Sequence, residues 1–103
     1  GRVGESAGPL RSTPSRYSRA PPPVYPEAAR QKGYEGLVLV SVEILETGSP
    51  GRLIVKKSSG CDLLDQAALQ AVRKWKFSPA VQNNVRIRTW GDVPIRFVLQ
   101  EPD

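Results

Sequence analysis

The run from Asp62 to Trp75 constrains the architecture of this chain more than any other stretch, because its apolar spacing fits one face of an α-helix. Leu64, Ala67, Ala68, Ala71, Val72 and Trp75 fall at offsets 0, 3, 4, 7, 8 and 11. Asp62 is expected to cap the helix, with Asp65 three residues on. Ser78-Pro79 then stops it. Small residues in the middle of the stripe let the helix lie close to a sheet, and Trp75 and Phe77 are expected to seal one edge.

The flanking segments supply that sheet. Pro26 suits a first helical position, and Glu27 to Lys32 continues a short helix that Gly33 can end. Leu37 to Leu45 alternates, with Val38, Val40, Val42 and Ile44 on one face, which predicts a strand with that face buried. Thr47-Gly48-Ser49-Pro50-Gly51 is turn chemistry, and Arg52 to Lys57 returns as the second arm of a hairpin with Leu53 and Val55 toward the core. After Pro79, Gln82-Asn83-Asn84 makes a turn. Val85 to Leu99 then reads as an extended segment interrupted at Gly91-Asp92, with Val93, Ile95, Phe97 and Leu99 alternating. The expected fold is α+β, two helices packed on one face of a three-stranded antiparallel sheet, with the last strand beside the first. Pro94 has no N–H to give a ladder, so the last strand is expected at an edge with that position facing outward.

With 103 residues the chain holds one domain. Residues 1–23, rich in Gly, Ser, Pro and Arg, carry few apolar groups to offset the entropy of ordering and read as a flexible Pro/Arg-rich linker. Residues 24–100 form the domain and 101–103 a tail. The formal charge is +5, but the first 20 residues carry +3 of it, leaving +2 for the other 83. A nearly balanced domain is a poor phosphate-binding surface, so no nucleic-acid partner is expected. There is no His or Met and one Cys, so no catalytic residue, metal site or cofactor is assigned and the chain reads as a non-enzyme. Cys61 reads as a half-buried residue before a helix N-terminus. No apolar run reaches the length of a membrane span. Beginning at Gly1, the chain reads as an excised fragment.

Two surfaces offer recognition chemistry. Unpaired backbone groups along Val93 to Val98 can accept an extended peptide as an added strand, although Pro94 and Arg96 are also devices that blunt an ordinary edge. Arg86 and Arg88, alternating with Val85 and Ile87 ahead of Trp90, suit either base stacking or a solvated strand face. A nucleic-acid or polyanion module using Arg86, Arg88, Arg96 and the basic tail is therefore the alternative reading, and an adaptor for another envelope partner a second.

Several segments in order carry a family resemblance. Tyr25-Pro26-Glu27-Ala28-Ala29-Arg30, Gly36 before the valine strand, Gly51-Arg52, Ser58-Ser59-Gly60 with Leu64-Asp65-Gln66-Ala67-Ala68, Arg73 to Ala80, and Val93-Pro94-Ile95-Arg96-Phe97 resemble the C-terminal domain of the TonB family of energy transducers. The resemblance covers residues 23–100. It implies a periplasmic domain whose parent is anchored in the inner membrane by an N-terminal helix outside this fragment and meets a proton-driven motor complex there. The implied partner is a TonB-dependent outer-membrane transporter for siderophore, haem or cobalamin, contacted at its TonB box and plug. By position, Val93, Pro94, Ile95, Arg96, Phe97 and Val98 would pair with the box, and Pro22, Pro23, Val24 and Tyr25 would form the approach beside it. The best-known members carry polar residues, a glutamine among them, where this chain has Pro22. Exposed edges also allow two copies to exchange strands into a homodimer.

Overall fold

The computed structural model describes residues 4–9 and 17–100. In chain order its elements are β1 (Gly4–Pro9), β2 (Tyr17–Arg19), α1 (Glu27–Gln31), β3 (Gly36–Ile44), β4 (Pro50–Lys57), α2 (Asp62–Val72), β5 (Lys76–Phe77), β6 (Ala80–Gln82), β7 (Val85–Ile87) and β8 (Thr89–Gln100). The main sheet is antiparallel in the order β1-β8-β3-β4. As expected, the last strand lies beside the first strand of the hairpin, in an unbroken register from Gly36↔Phe97 to Ile44↔Thr89. No helix among the described residues is long and apolar enough to cross a membrane.

The alternation read from the sequence places the core. Val38, Val40 and Val42 of β3 and Val93, Ile95 and Phe97 of β8 are fully buried. Leu64, Ala68 and Val72 of α2, and Ala29 of α1, complete the same cluster. Each fully buried aliphatic side chain contributes roughly 1.5–3 kcal/mol. Helix α2 stops at Val72, three residues short of Trp75, because its last turn tightens: Lys74 and Trp75 donate their N–H groups to the carbonyls of Ala71 and Val72, both at 3.0 Å. Trp75 nevertheless remains fully buried.

The structure corrects several expectations. The sheet has four strands, because Gly4–Pro9 joins it along β8. The stretch 1–23 expected as a flexible linker is therefore strand over Gly4–Pro9 and again over Tyr17–Arg19, which pairs with β5. A ladder is made by backbone groups that every residue carries, so an open edge can recruit a segment poor in apolar side chains. The rest of that stretch, 1–3 and 10–16, and the tail 101–103 lie outside the described residues. From Ile95 to Gln100 strand β8 is consequently covered on its outer side and is not the open edge expected there. Pro26 is the N-cap of α1 and not its first helical residue. Asp62 is the first residue of α2 and caps nothing; Cys61, half-buried, stands at the N-cap position without a side-chain bond. The extended C-terminal segment breaks at Arg88 and runs through Gly91-Asp92, and its first part folds back as the hairpin β6–β7 around Asn83 and Asn84, both at positive φ.

Candidate functional site

The outer flank of β8 can be read group by group. The Leu99 N–H donates to the Glu35 carboxylate just ahead of β3, so it points to the β3 side of the strand. Successive residues of a strand send their backbone groups to opposite neighbours. Phe97, Ile95 and Val93 therefore direct theirs at β3, and Val98, Arg96 and Pro94 direct theirs away from it. Pro94 lies opposite Leu39 with its missing donor on the outward side, which is where the sequence placed it. The outward flank over Val93 to Val98 thus presents two N–H donors, of Arg96 and Val98, and three carbonyls, of Pro94, Arg96 and Val98.

From Ile95 onward that flank is occupied by β1. The register runs from Gly4↔Gln100 through Ser6↔Val98 and Gly8↔Arg96 to Pro9↔Ile95. By the same alternation Ser6 and Gly8 turn their N–H groups to β8. Pro9, opposite the inward-facing Ile95, belongs to the set that faces away and can lack a donor there. Nothing in the side-chain pattern of Gly4–Pro9 announces this strand. The legible signal was the unpaired edge, which demanded some partner.

The second group of expected contact residues meets the first through an aromatic pair. Tyr25 packs edge-on against Phe97 with ring centroids 5.3 Å apart, and its hydroxyl donates to the Tyr34 carbonyl. The approach Pro22-Pro23-Val24 runs over α2. Pro23 is buried, Pro22 is exposed and Val24 is 80% exposed. Together with Leu63, Ala67 and Lys74 these residues border a cavity of about 340 Å³. Two residues that sequence reasoning did not assign to the site hold this approach in place. The Trp75 indole N–H donates to the Pro21 carbonyl at 2.8 Å, and Tyr17 lies against the Trp75 ring at 5.0 Å. A buried indole ordinarily needs such an acceptor, and that was the available signal. Of the expected set, Val93, Ile95 and Phe97 contribute core-facing side chains, Arg96 is exposed, and Pro94 and Val98 are half-buried.

Electrostatics divide the basic residues. Arg88 reaches Glu43 and Glu46, both at 3.5 Å, while the Arg52 N–H donates to Glu43 Oε1 at 3.1 Å and its guanidinium stands 5.3 Å from the Trp90 ring. The Arg52 backbone bond, with the two guanidinium charges, holds the Glu43 carboxyl below its ordinary value against the opposing effect of burial. Lys56 Nζ donates to Asp92 at 2.7 Å and Ser41 to the same carboxyl at 2.8 Å, which lowers its pKa in turn. The set Arg86, Arg88 and Trp90 is thereby split. Arg88 is committed to carboxylates and Trp90 is attended by Arg52, leaving Arg86 exposed. Among the described residues no group of three His, Cys, Asp or Glu is placed to hold a metal ion.

Comparison with known proteins bears on this geometry. A model of the family described as Gram-negative bacterial TonB protein C-terminal matches residues 21–99. The chain belongs to this family. The chain is 46% identical over 83 residues to the protein tonB2 of Pseudomonas aeruginosa, covering 81% of this chain and 31% of that protein. To the protein TonB of Vibrio cholerae it is 37% identical over 91 residues, covering 88% of this chain and 37% of that one. A solution NMR structure of the Pseudomonas aeruginosa TonB C-terminal domain superposes with a TM-score of 0.71 at 28% identity, covering 94% of this chain and 98% of that one. The chain spans about a third of the length of these two curated relatives. As a TonB-family domain it is not an enzyme. The match opens at Pro21, so strands β1 and β2 precede the part of the chain that the family model covers.

Proposed function

We propose that this domain is the transporter-binding end of an energy transducer, and that it takes up the TonB box of an outer-membrane transporter by strand addition along β8. Its site is the flank from Val93 to Val98, with Pro22, Pro23, Val24 and Tyr25 as the approach. One observation carries the reading: the outward donors and acceptors of β8 accept an extended backbone, since Gly4–Pro9 is paired there. The contact between Tyr25 and Phe97 joins approach and edge into one surface.

Magnitudes fit a weak, tethered coupling. Five outward groups at ~1 kcal/mol per bond barely reach the low end of the ~4–15 kcal/mol cost of association. Affinity then has to come from side-chain contacts and from tethering of the two partners. In this reading the parent is anchored in the inner membrane, the domain lies in the periplasm, a proton-driven motor complex acts through the upstream chain, and the cargo is a siderophore, haem or cobalamin. The ion pairs that engage Arg88, Arg52 and Lys56 weigh against the polyanion alternative.

The test is a titration of the full chain with a synthetic peptide copying the TonB box of a Pseudomonas aeruginosa outer-membrane transporter, followed by backbone amide shifts. The largest changes are expected at Arg96 and Val98, with a second set around Tyr25. Changes concentrated on the β4 edge or the β6–β7 hairpin would rule out this mode.

A further inference from the structure

We infer that Gly4–Pro9 is a built-in competitor for the docking edge, an internal strand that must peel from β8 before any other strand can pair there. The pairing itself stands on the register of this chain; its consequence for binding rests on the strand-addition reading above.

The competition is for the same atoms. The outward N–H groups of Arg96 and Val98, two of the five groups available to an incoming strand, lie opposite Gly8 and Ser6. An occupied edge cannot accept a second partner on that side, so binding requires the open form. The segment also holds an advantage that a free peptide lacks. Seven residues, 10–16, separate Pro9 from Tyr17, which is fastened to β5 and packs at a tilt against Trp75. A tether that short presents β1 to the edge at an effective concentration in the ~mM range. A weakly binding peptide therefore meets an edge closed most of the time, and its apparent Kd is raised by the reciprocal of the open fraction.

The segment suits a releasable strand. The described ladder reaches Pro9, beside the position opposite Pro94, where β8 itself lacks an outward donor. Composition points the same way, since Gly4, Gly8 and Pro9 make up half of the six residues and strand propensity is low. Tension on the upstream chain would draw on this segment first, because it precedes every other described element. A segment that binds the edge at rest and leaves it under load or competition keeps an exposed strand from pairing with the wrong chain.

Strand alternation supplies a sharp test. Ser6→Pro removes an N–H that faces β8, whereas Ala7→Pro removes one that faces away, so the first should open the edge and the second should not. Amide exchange is measured on the full chain, wild type and both variants, before and after adding the TonB-box peptide. In the wild type Arg96 and Val98 should exchange slowly. Ser6→Pro should accelerate those two about tenfold or more while Ile95 and Phe97, which face β3, stay protected, and should tighten the peptide Kd about three- to tenfold. Ala7→Pro should leave both readouts near wild type.

Unprotected Arg96 and Val98 amides in the wild type would overturn the inference. So would protection that grows with protein concentration, because the strand would then come from a second copy. Peptide shifts that land on β8 with a Kd indifferent to Ser6→Pro sink the competitor alone. Shifts that avoid β8 in every variant sink the strand-addition reading together with it.

Discussion

Asp65 is a charged side chain only 8% exposed, and its surroundings tie the loop before α2 to the helix. Burial pushes its carboxyl up, but the Ser58 hydroxyl, the Ser59 N–H at 3.0 Å and the Ser59 hydroxyl at 2.8 Å outweigh that and hold the pKa below the ordinary aspartate value. Because the folded pKa is depressed, the stabilisation is fully present above the ordinary value and disappears as pH falls through the lower folded one. Asp65→Asn should cost about 1–3 kcal/mol at neutral pH. Urea midpoints should also show the variant losing less stability than wild type once pH drops below about 4. A difference independent of pH would mean that shape, not charge, holds the loop. The sequence made Asp65 legible at the helix start but gave the cap to Asp62, which caps nothing. What it hid was direction, since Asp65 reaches back across Gly60 to Ser58 and Ser59 where a local capping rule looks for reciprocal bonds inside the first turn.

At the scale of elements, the β3–β4 connection shows how a turn residue serves a distant strand. Gly48 stands at φ +88°, accepts the Phe77 N–H on its carbonyl at 2.8 Å, and leaves no room for a Cβ, which would run into the Phe77 carbonyl oxygen. Gly48→Ala should therefore cost about 2–5 kcal/mol by combining backbone strain with a clash. Gly33→Ala, at φ +73° with open space around it, should cost only about 1–2 kcal/mol. Thermal unfolding of the two variants side by side checks the ordering, and equal losses would remove the close approach as an explanation. The turn itself was legible from Thr47 to Gly51, as were β3, β4 and α2, because each has a side-chain period that burial enforces. Strand β7 lay inside the segment read as extended, but β6 and the hairpin it makes with β7 had no burial signal, since Val81 and Val85 are 62% and 60% exposed. Strand β1 was illegible for a deeper reason. Its partner is chosen by backbone groups, so the sequence showed an edge along Val93 to Val98 in want of a partner but not which segment would fill it.

For the whole molecule, the net charge of +5 and the sequence pI near 9.8 describe an ion that ought to stick to polyanions, yet the fold distributes that charge in a way that works against it. Arg88 and Arg52 converge on Glu43, and Lys56 lies on Asp92. On the proposed docking edge Arg96 is the one basic residue between Val93 and Val98. Recognition by strand addition exchanges backbone bonds and releases few counterions, whereas a protein making 6–10 phosphate contacts loses roughly 10³–10⁵ in affinity between about 50 and 200 mM salt. The Kd for a TonB-box peptide should accordingly change by less than about threefold over that range. Titration calorimetry at the two salt concentrations, with single-stranded DNA in parallel, separates the cases. A steep loss for the peptide would show that Arg96 and the basic upstream chain, and not the β8 backbone, supply the affinity, and would return the polyanion reading to first place.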